Sequence, residues 1–176
     1  MSTTLLTLGN TTLRAWQEPD IAVMQELRNN VALQLQLMTH PTPNSEQQVR
    51  AWLIRRSQEP DTVFFVIAEQ AQAIGYIQLV AMSEMSAMNR CGRLGICLAP
   101  DAQGRGHGMA AIQLLESHGA QQLNLRKIVL EVLVDNQSAL QLYRRLGYQQ
   151  CGYLHAHFCA HEKFHDVILM EKFLSS

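Results

Sequence analysis

Apolar positions along this 176-residue chain change period several times, and each change predicts an element. From Pro19 to Asn30 they recur at Ile21, Met24 and Leu27, the spacing of one helical face. A second helix should follow Ser45. Its hydroxyl suits an N-cap, Gln48 holds the capping-box position, and Val49, Trp52 and Leu53 face inward. Between these helices, Val31 to Asn44 keeps no such period. It passes from an apolar, Gln-rich piece into Thr39-His40-Pro41-Thr42-Pro43-Asn44, where the prolines predict an irregular loop. Strands are expected at about 11–16, at Val63–Glu69 and at Ala73–Val80, with the polar Gln70-Ala71-Gln72 as a hairpin turn. A methionine-rich loop, Met82 to Asn89, leads to a strand at Arg93–Leu98. The remaining elements are a long helix over Gly108–Leu123, a β-branched strand over Lys127–Val134, a helix after Asn136, and two strands near His155–His161 and Lys163–Glu171. Together they predict an α/β (α+β) fold: a mixed sheet of about seven strands with helices on both faces, in one domain spanning 1–176.

The junction before the long helix carries the first chemistry. Gln103-Gly104-Arg105-Gly106-His107-Gly108 lies between an apolar strand and an amphipathic helix. Glycines there let the backbone approach a ligand closely, and the helix start adds the positive end of its dipole. The order predicts a pyrophosphate cradle. It is not a Walker loop, since no Gly-Lys-Ser/Thr follows, and its G-x-G-x-G spacing is a poor dinucleotide fingerprint. A glycine-rich turn without ligand is the plain alternative.

A second segment narrows the choice. In Asp135-Asn136-Gln137-Ser138-Ala139-Leu140-Gln141-Leu142-Tyr143-Arg144-Arg145-Leu146-Gly147-Tyr148, Asn136 suits a helix N-cap and Gly147 a C-terminal stop. The two segments together resemble the GNAT superfamily of acetyl-CoA-dependent N-acetyltransferases. The family loop Gln/Arg-x-x-Gly-x-Gly/Ala is matched by Gln103, Gly106 and Gly108. The family signature Asn-x-x-Ala-x-x-Leu-Tyr-x-x-x-Gly-Phe/Tyr is matched by Asn136, Ala139, Leu142, Tyr143, Gly147 and Tyr148. The resemblance covers about residues 93 to 174 well and the first 90 loosely. It implies the GNAT fold, with a twisted, mostly antiparallel sheet, and acetyl transfer from acetyl-CoA to a primary amine by direct attack in a ternary complex. No cysteine nucleophile and no metal are then needed.

The resemblance also implies roles residue by residue. Backbone N–H groups from Gln103, Gly104, Arg105, Gly106, His107 and Gly108 would hold the pyrophosphate. Arg105 and His107 either add side-chain contacts or face solvent. In such proteins the preceding strand splays from its neighbour, which gives Ile96, Cys97 and Leu98 the pantetheine arm and the acetyl carbonyl. Gly95 would suit a bulge there. Asn136 either contacts the cofactor or only caps its helix. Tyr143 matches the general acid of many members, because a phenol keeps its proton at neutral pH; the alternative is an aromatic packed with Leu140 and Leu146. At the position where many relatives carry a catalytic Glu, this chain has Arg93, which cannot accept a proton. Glu84, a histidine, or a water chain to solvent remain as routes for deprotonating the amine. Arg93 would bind an anionic part of the substrate or form a surface ion pair.

Composition bounds the rest. Hydrophobic residues make up 47% and charged residues 16%, as in a soluble globular protein. A net charge of −1 argues against a nucleic-acid surface. No apolar run reaches membrane-spanning length, and Met1-Ser-Thr-Thr-Leu-Leu lacks a basic n-region, so a cytoplasmic location is expected. Cys91, Cys97, Cys151 and Cys159 form no C-x-x-C pair, and Cys97 reads as a small buried hydrophobe. His155, His157, His161 and His165 are close in sequence, but no carboxylate or thiol pattern completes a tetrahedral site.

The tail from Gly152 to Met170 resembles the last hairpin of the subgroup that acetylates ribosomal-protein N-termini, spermidine and amino-sugar nucleotides. There the hairpin helps wall the acceptor site, which makes His155 a substrate-contact candidate beside Arg28 and Arg93. Glu26, Glu46 and Glu84 are few carboxylates for a polyamine site; Arg28, Arg90 and Arg93 offer cations for a sugar nucleotide; a peptide N-terminus stays open. A homodimer is common among such proteins. A non-catalytic acyl-CoA sensor is the alternative function, favoured by Arg93 and opposed by Tyr143.

Overall fold

The computed structural model describes residues 5–60, 62–81 and 89–174. Two short strands, β1 (Leu6–Leu8) and β2 (Thr11–Arg14), precede three helices, α1 (Asp20–Asn29), α2 (Val31–Gln36) and α3 (Glu46–Gln58). Strands β3 (Thr62–Glu69), β4 (Gln72–Ala81) and β5 (Cys91–Leu98) follow. A 3-10 turn at Pro100–Ala102 leads into α4 (His107–Gln122). The chain then runs through β6 (Lys127–Leu133), α5 (Gln137–Arg145), β7 (Gln149–Ala160) and β8 (Lys163–Phe173). Among the described residues the strands form one sheet of eight, in the order β1-β2-β3-β4-β5-β6-β8-β7. All neighbours are antiparallel except β5 and β6.

The parallel pair shapes everything that follows. β5 pairs with β4 along its length, from Gly92 opposite Ala81 to Leu98 opposite Gly75. Its pairing with β6 covers only Cys91–Arg93 against Lys127–Val129. Beyond Arg93 the two strands part, and Leu94–Leu98 carries backbone groups on an edge that no described strand fills.

Two layers cover the sheet. On one face Ala111, Ile112 and Leu115 of α4 and Leu140 and Tyr143 of α5 pack on Ile77, Leu79, Leu94, Ile128, Leu130 and Val132. On the other, α1 and α3 bring Met24, Leu27, Val49, Trp52 and Leu53 against Phe64, Val66, Tyr76 and Cys97. Each Leu, Ile, Val, Met or Phe among them, taken fully from water, contributes about 1.5–3 kcal/mol. A third cluster, Leu133, Phe158, Ala160 and Val167, receives Leu35 from α2 and Met38 from just beyond its end. The strand alternation therefore sorts β5 and β6 cleanly: Leu94 and Ile128, Leu130, Val132 face α4 and α5, while Arg93, Gly95, Cys97 and Glu131, Leu133 face α1 to α3.

Local signals account for the helix ends. The Ser45 hydroxyl accepts from Gln48 N at 3.3 Å and the Gln48 side chain accepts from Ser45 N at 2.8 Å, the expected capping box. Gly147, at φ +89, ends α5. Three features differ from the sequence reading. Residues 31–36 are helical rather than irregular, because Asn30 caps α2 by accepting from Leu33 N at 3.1 Å and Leu33 is buried. The sheet has an eighth strand, β1, whose largely exposed side chains left no alternation to read. Gly95 makes no bulge and pairs regularly with Gln78. Its role is steric, since a Cβ there would stand 3.1 Å from Gln78 Nε2.

Candidate active site

The parted strands open a cleft of about 580 Å³. Leu94 to Leu98 form one wall, Glu131 and Val132 of β6 the other, with Gln103, Gly104, Gly106 and Gly108 at one mouth and α2 at the far end. The mouth is built for an anion. Gly104 and Gly106 take the left-handed region, φ +71 and +90, which turns successive backbone N–H groups to one side. Apart from their chain neighbours, no described residue has a heavy atom within 4 Å of where their Cβ atoms would be. Gly108 is needed for a different reason: a Cβ there would meet Leu142 at 3.3 Å and Leu98 at 3.4 Å, so it lets α4, α5 and β5 converge. α4 begins at His107, and its first N–H groups have no acceptor within the helix. Gln103 closes the loop onto β5 by donating to Leu98 O at 3.1 Å.

The loop's two basic side chains lie outside the cleft lining. Arg105 donates to both Glu69 oxygens at 2.9 Å. The His107 ring is buried and is not among the residues lining the cleft. Its Nδ1 lies 2.8 Å from Thr11 Oγ1 and its Nε2 lies 3.4 Å from Glu69 Oε1. Both residues thus tie the cradle to β2 and β3, and their backbone N–H groups remain at the cradle.

Asn136 and Tyr143 line the cleft from α5. The Asn136 side chain accepts from Ala139 N at 3.2 Å, the N-cap bond. Tyr143 is 8% exposed, and burial pushes its phenol up to about 12. The phenol is therefore protonated at neutral pH, as a proton donor must be. Cys97 also lines the cleft, and burial pushes its thiol up to about 12, far from a nucleophilic thiolate.

Arg93 reaches the cleft and forms a 3.2 Å ion pair with Glu131 across the point where the strands part. Sequence reasoning missed Glu131. The available signal was a lone charge inside the apolar run Ile128–Val134, on the side opposite Ile128, Leu130 and Val132. Beside it, Gln78 lines the cleft with its Oε1 buried and unpartnered among the described residues.

The other acceptor candidates lie elsewhere. Arg28 sits 4.5 Å over the Trp52 ring and bonds Asn44 Oδ1 at 3.3 Å, with its pKa lowered by desolvation. It is part of the α1–α3 layer, not of the cleft lining. His155 is 84% exposed on a bulge of β7, 3.8 Å from Asp166. The same bulge breaks the alternation that would have set His155 and His157 on one face, with Ala156 at φ +48. Glu84 lies outside the described residues. Among those residues no group of three His, Cys, Asp or Glu is placed to hold a metal. No described helix is long and apolar enough to cross a membrane.

A glycine cradle at a helix start opens here onto the unpaired edge of a parted parallel strand, an arrangement with room for a pyrophosphate and an extended arm beside it. A family profile described as acetyltransferase (GNAT) domain matches residues 10–149. The spermidine N(1)-acetyltransferase of Vibrio cholerae serotype O1 is 27% identical over 168 residues, 93% of this chain and 95% of the relative. The ribosomal-protein-serine acetyltransferase of Escherichia coli K12 is 28% identical over 112 residues, 64% of this chain and 61% of the relative. The crystal structure of spermidine N-acetyltransferase from Vibrio cholerae with CoA and spermine superposes with a TM-score of 0.84 at 25% identity, covering 94% and 96% of the two chains. This chain belongs to the GNAT acetyltransferase family; it is an N-acetyltransferase with acetyl-CoA as its acyl donor.

Proposed function

We propose that this protein acts as a single domain that acetylates a primary amine on an aliphatic polyamine, by direct attack on the thioester of acetyl-CoA in a ternary complex. The observation that carries this reading is the parting of β5 from β6 beyond Arg93, with the cradle, Asn136 and Tyr143 all on the resulting cleft. Backbone N–H groups of Gln103–Gly108 hold the pyrophosphate, and the free edge at Ile96, Cys97 and Leu98 takes the pantetheine arm. Tyr143 protonates the leaving thiolate. The acceptor end supports an alkyl amine. Leu33, Leu37, Met38 and Val80 supply apolar walls for methylene stems, and Gln36 and Gln78 supply amides between them. The relatives named for spermidine support the same acceptor class. Four free cysteines are in keeping with a reducing cytoplasm.

A thiol-release assay with acetyl-CoA tests the reading against spermidine, a peptide with a free N-terminus and glucosamine. Spermidine should turn over fastest. Faster turnover of the peptide would move the acceptor to a protein N-terminus. Acetyl-CoA binding without turnover of any amine would replace catalysis by an acyl-CoA sensor.

A further inference from the structure

A cradle made of backbone N–H groups works only if the loop is held in shape, and its glycines work against that. Gly104 and Gly106 both take positive φ, and no described residue beyond their chain neighbours packs where a Cβ would be. Glycines give up more conformational freedom than other residues when they are ordered. Gly106 is also the N-cap of α4, and it offers the first N–H groups of the helix no side chain. Those groups stay free for an anion. The shape of the loop has to come from its neighbours.

One carboxylate reaches both residues that flank Gly106. Glu69 ends β3. Arg105 Nη2 donates to both of its oxygens at 2.9 Å. His107 Nε2 lies 3.4 Å from Glu69 Oε1. At the other side of the ring, Nδ1 is 2.8 Å from the hydroxyl of Thr11, a buried residue at the start of β2. With its hydrogen on Nε2, the ring turns a donor toward the carboxylate and accepts from Thr11. Glu69, Arg105 and His107 are all absent from the cleft lining. They line a separate hollow of about 400 Å³, and Gly106 lines both cavities. The loop is thus a thin wall, with the cleft in front and this clasp behind.

We infer that Glu69 is a positioning residue for the acyl donor: it fixes the cradle from behind through Arg105 and His107, so that Arg105 is a tether and not a phosphate ligand. The inference rests on the pyrophosphate reading of the cradle given above. In the pair, the charge of Arg105 is offset by Glu69, and one of its terminal nitrogens is occupied. What the pair gives is preorganisation. The N–H groups point to one side before the ligand arrives, and the cost of ordering the loop falls on folding rather than on binding.

The two possible roles of Arg105 predict opposite signs. If Glu69 only withheld the guanidinium from the phosphates, removing Glu69 would free a cation and lift a like charge from the anion, and acetyl-CoA would bind more tightly. A tether predicts weaker binding.

The test is the Kd for acetyl-CoA by titration calorimetry, beside steady-state kinetics, for the wild type, Glu69→Ala, Glu69→Gln and the double variant Glu69→Ala/Arg105→Ala. Glu69→Ala should raise Kd and KM for acetyl-CoA about tenfold and leave kcat at saturating donor within about twofold, because only uniform binding is lost. Glu69→Gln keeps the volume and one acceptor for Arg105, and should weaken binding by a smaller factor. The double variant removes one charge of each sign, so the net charge beside the cradle is kept. It should bind no better than Glu69→Ala, because both substitutions break the same contact. Unchanged or tighter binding in Glu69→Ala overturns the inference, and so does a double variant restored to wild-type affinity. A fall in kcat with Kd unmoved does the same. If Glu69→Ala fails to fold, the sign of the change in Glu69→Gln decides. A wild type that does not bind acetyl-CoA sinks the cradle reading and this inference with it; a wild type that binds, with indifferent Glu69 variants, sinks only the inference.

Discussion

At the residue scale, one hydroxyl and one backbone angle make separate predictions. Tyr143 has its proton held by burial: the neutral form is favoured, its pKa rises to about 12, and the phenol stays a donor as pH climbs through neutrality. Tyr143→Phe should therefore lower kcat by about 10²-fold and leave acetyl-CoA affinity near its wild-type value. In the wild type this group should set no basic limb in kcat until pH nears about 12. Equal losses in turnover and acetyl-CoA affinity, seen by steady-state kinetics and titration calorimetry, would remove Tyr143 from the chemistry. Gly106 has φ +90 and open space where a Cβ would be, so Gly106→Ala is penalised by backbone strain alone. The cost should be about 1–2 kcal/mol in a denaturation curve, and acetyl-CoA should bind more weakly because the loop's N–H groups turn away. Both residues were legible in the sequence because each belongs to a motif of fixed local spacing. The destinations of Arg105 and His107 were not legible. Their partners Glu69 and Thr11 lie 36 and 96 residues away, and no local pattern announces such a pairing.

At the element scale, α5, like α4, starts at the cleft, since its cap residue lines it. Asn136 accepts from Ala139 N in the N-cap geometry, and aspartate caps a helix about as well. Asn136→Ala should cost about 1 kcal/mol of stability and Asn136→Asp much less. If both variants melt like the wild type, the cap contributes nothing and Asn136 serves another purpose. Long elements with a clear period were legible: α1, α3, α4 and strands β3 to β6 and β8 lie within a few residues of expectation, whereas β7 begins at Gln149, well before the expected His155. The short ones were not. α2 has six residues, and it exists because the Asn30 side chain caps it and the Gln34 side chain bonds Leu27 O at 2.9 Å. β1 has three residues and is held only by its pairing with β2. Gly95 shows the same limit in another form. Flexibility suggested a bulge, whereas the structure uses the missing side chain to admit Gln78.

At the scale of the whole molecule, the cleft exists because β5 and β6 are held apart while their far sides remain packed. No pattern in the chain encodes that parting. Strand pairing is a relation between distant segments, and only the resemblance of two motifs implied it. Nor did the apolar alternation of β6 show that its one acid would meet Arg93. What closes the proposed acceptor end is the third cluster, in which Leu35 of α2 and Met38 just after it meet Phe158 of β7 and Leu133 and Val167 beneath it. Phe158 is 8% exposed, and the His40 ring lies 5.4 Å from it, so it fixes both α2 and the loop that follows. Phe158→Ala should destabilise the protein by about 3 kcal/mol, the lower part of the range for such truncations, because the cluster is small and near the surface. The functional effect should be uneven. The cradle, α4 and α5 belong to the larger core on the opposite face, so acetyl-CoA affinity should hold. α2 loses its anchor, and Leu37 and Met38 with it, so KM for the amine should rise several-fold, by about the tenfold that each 1.4 kcal/mol represents at most. Titration of acetyl-CoA beside amine kinetics on the variant separates the two ends. A matched loss in both would mean that the cleft behaves as one rigid body, with donor and acceptor sites inseparable.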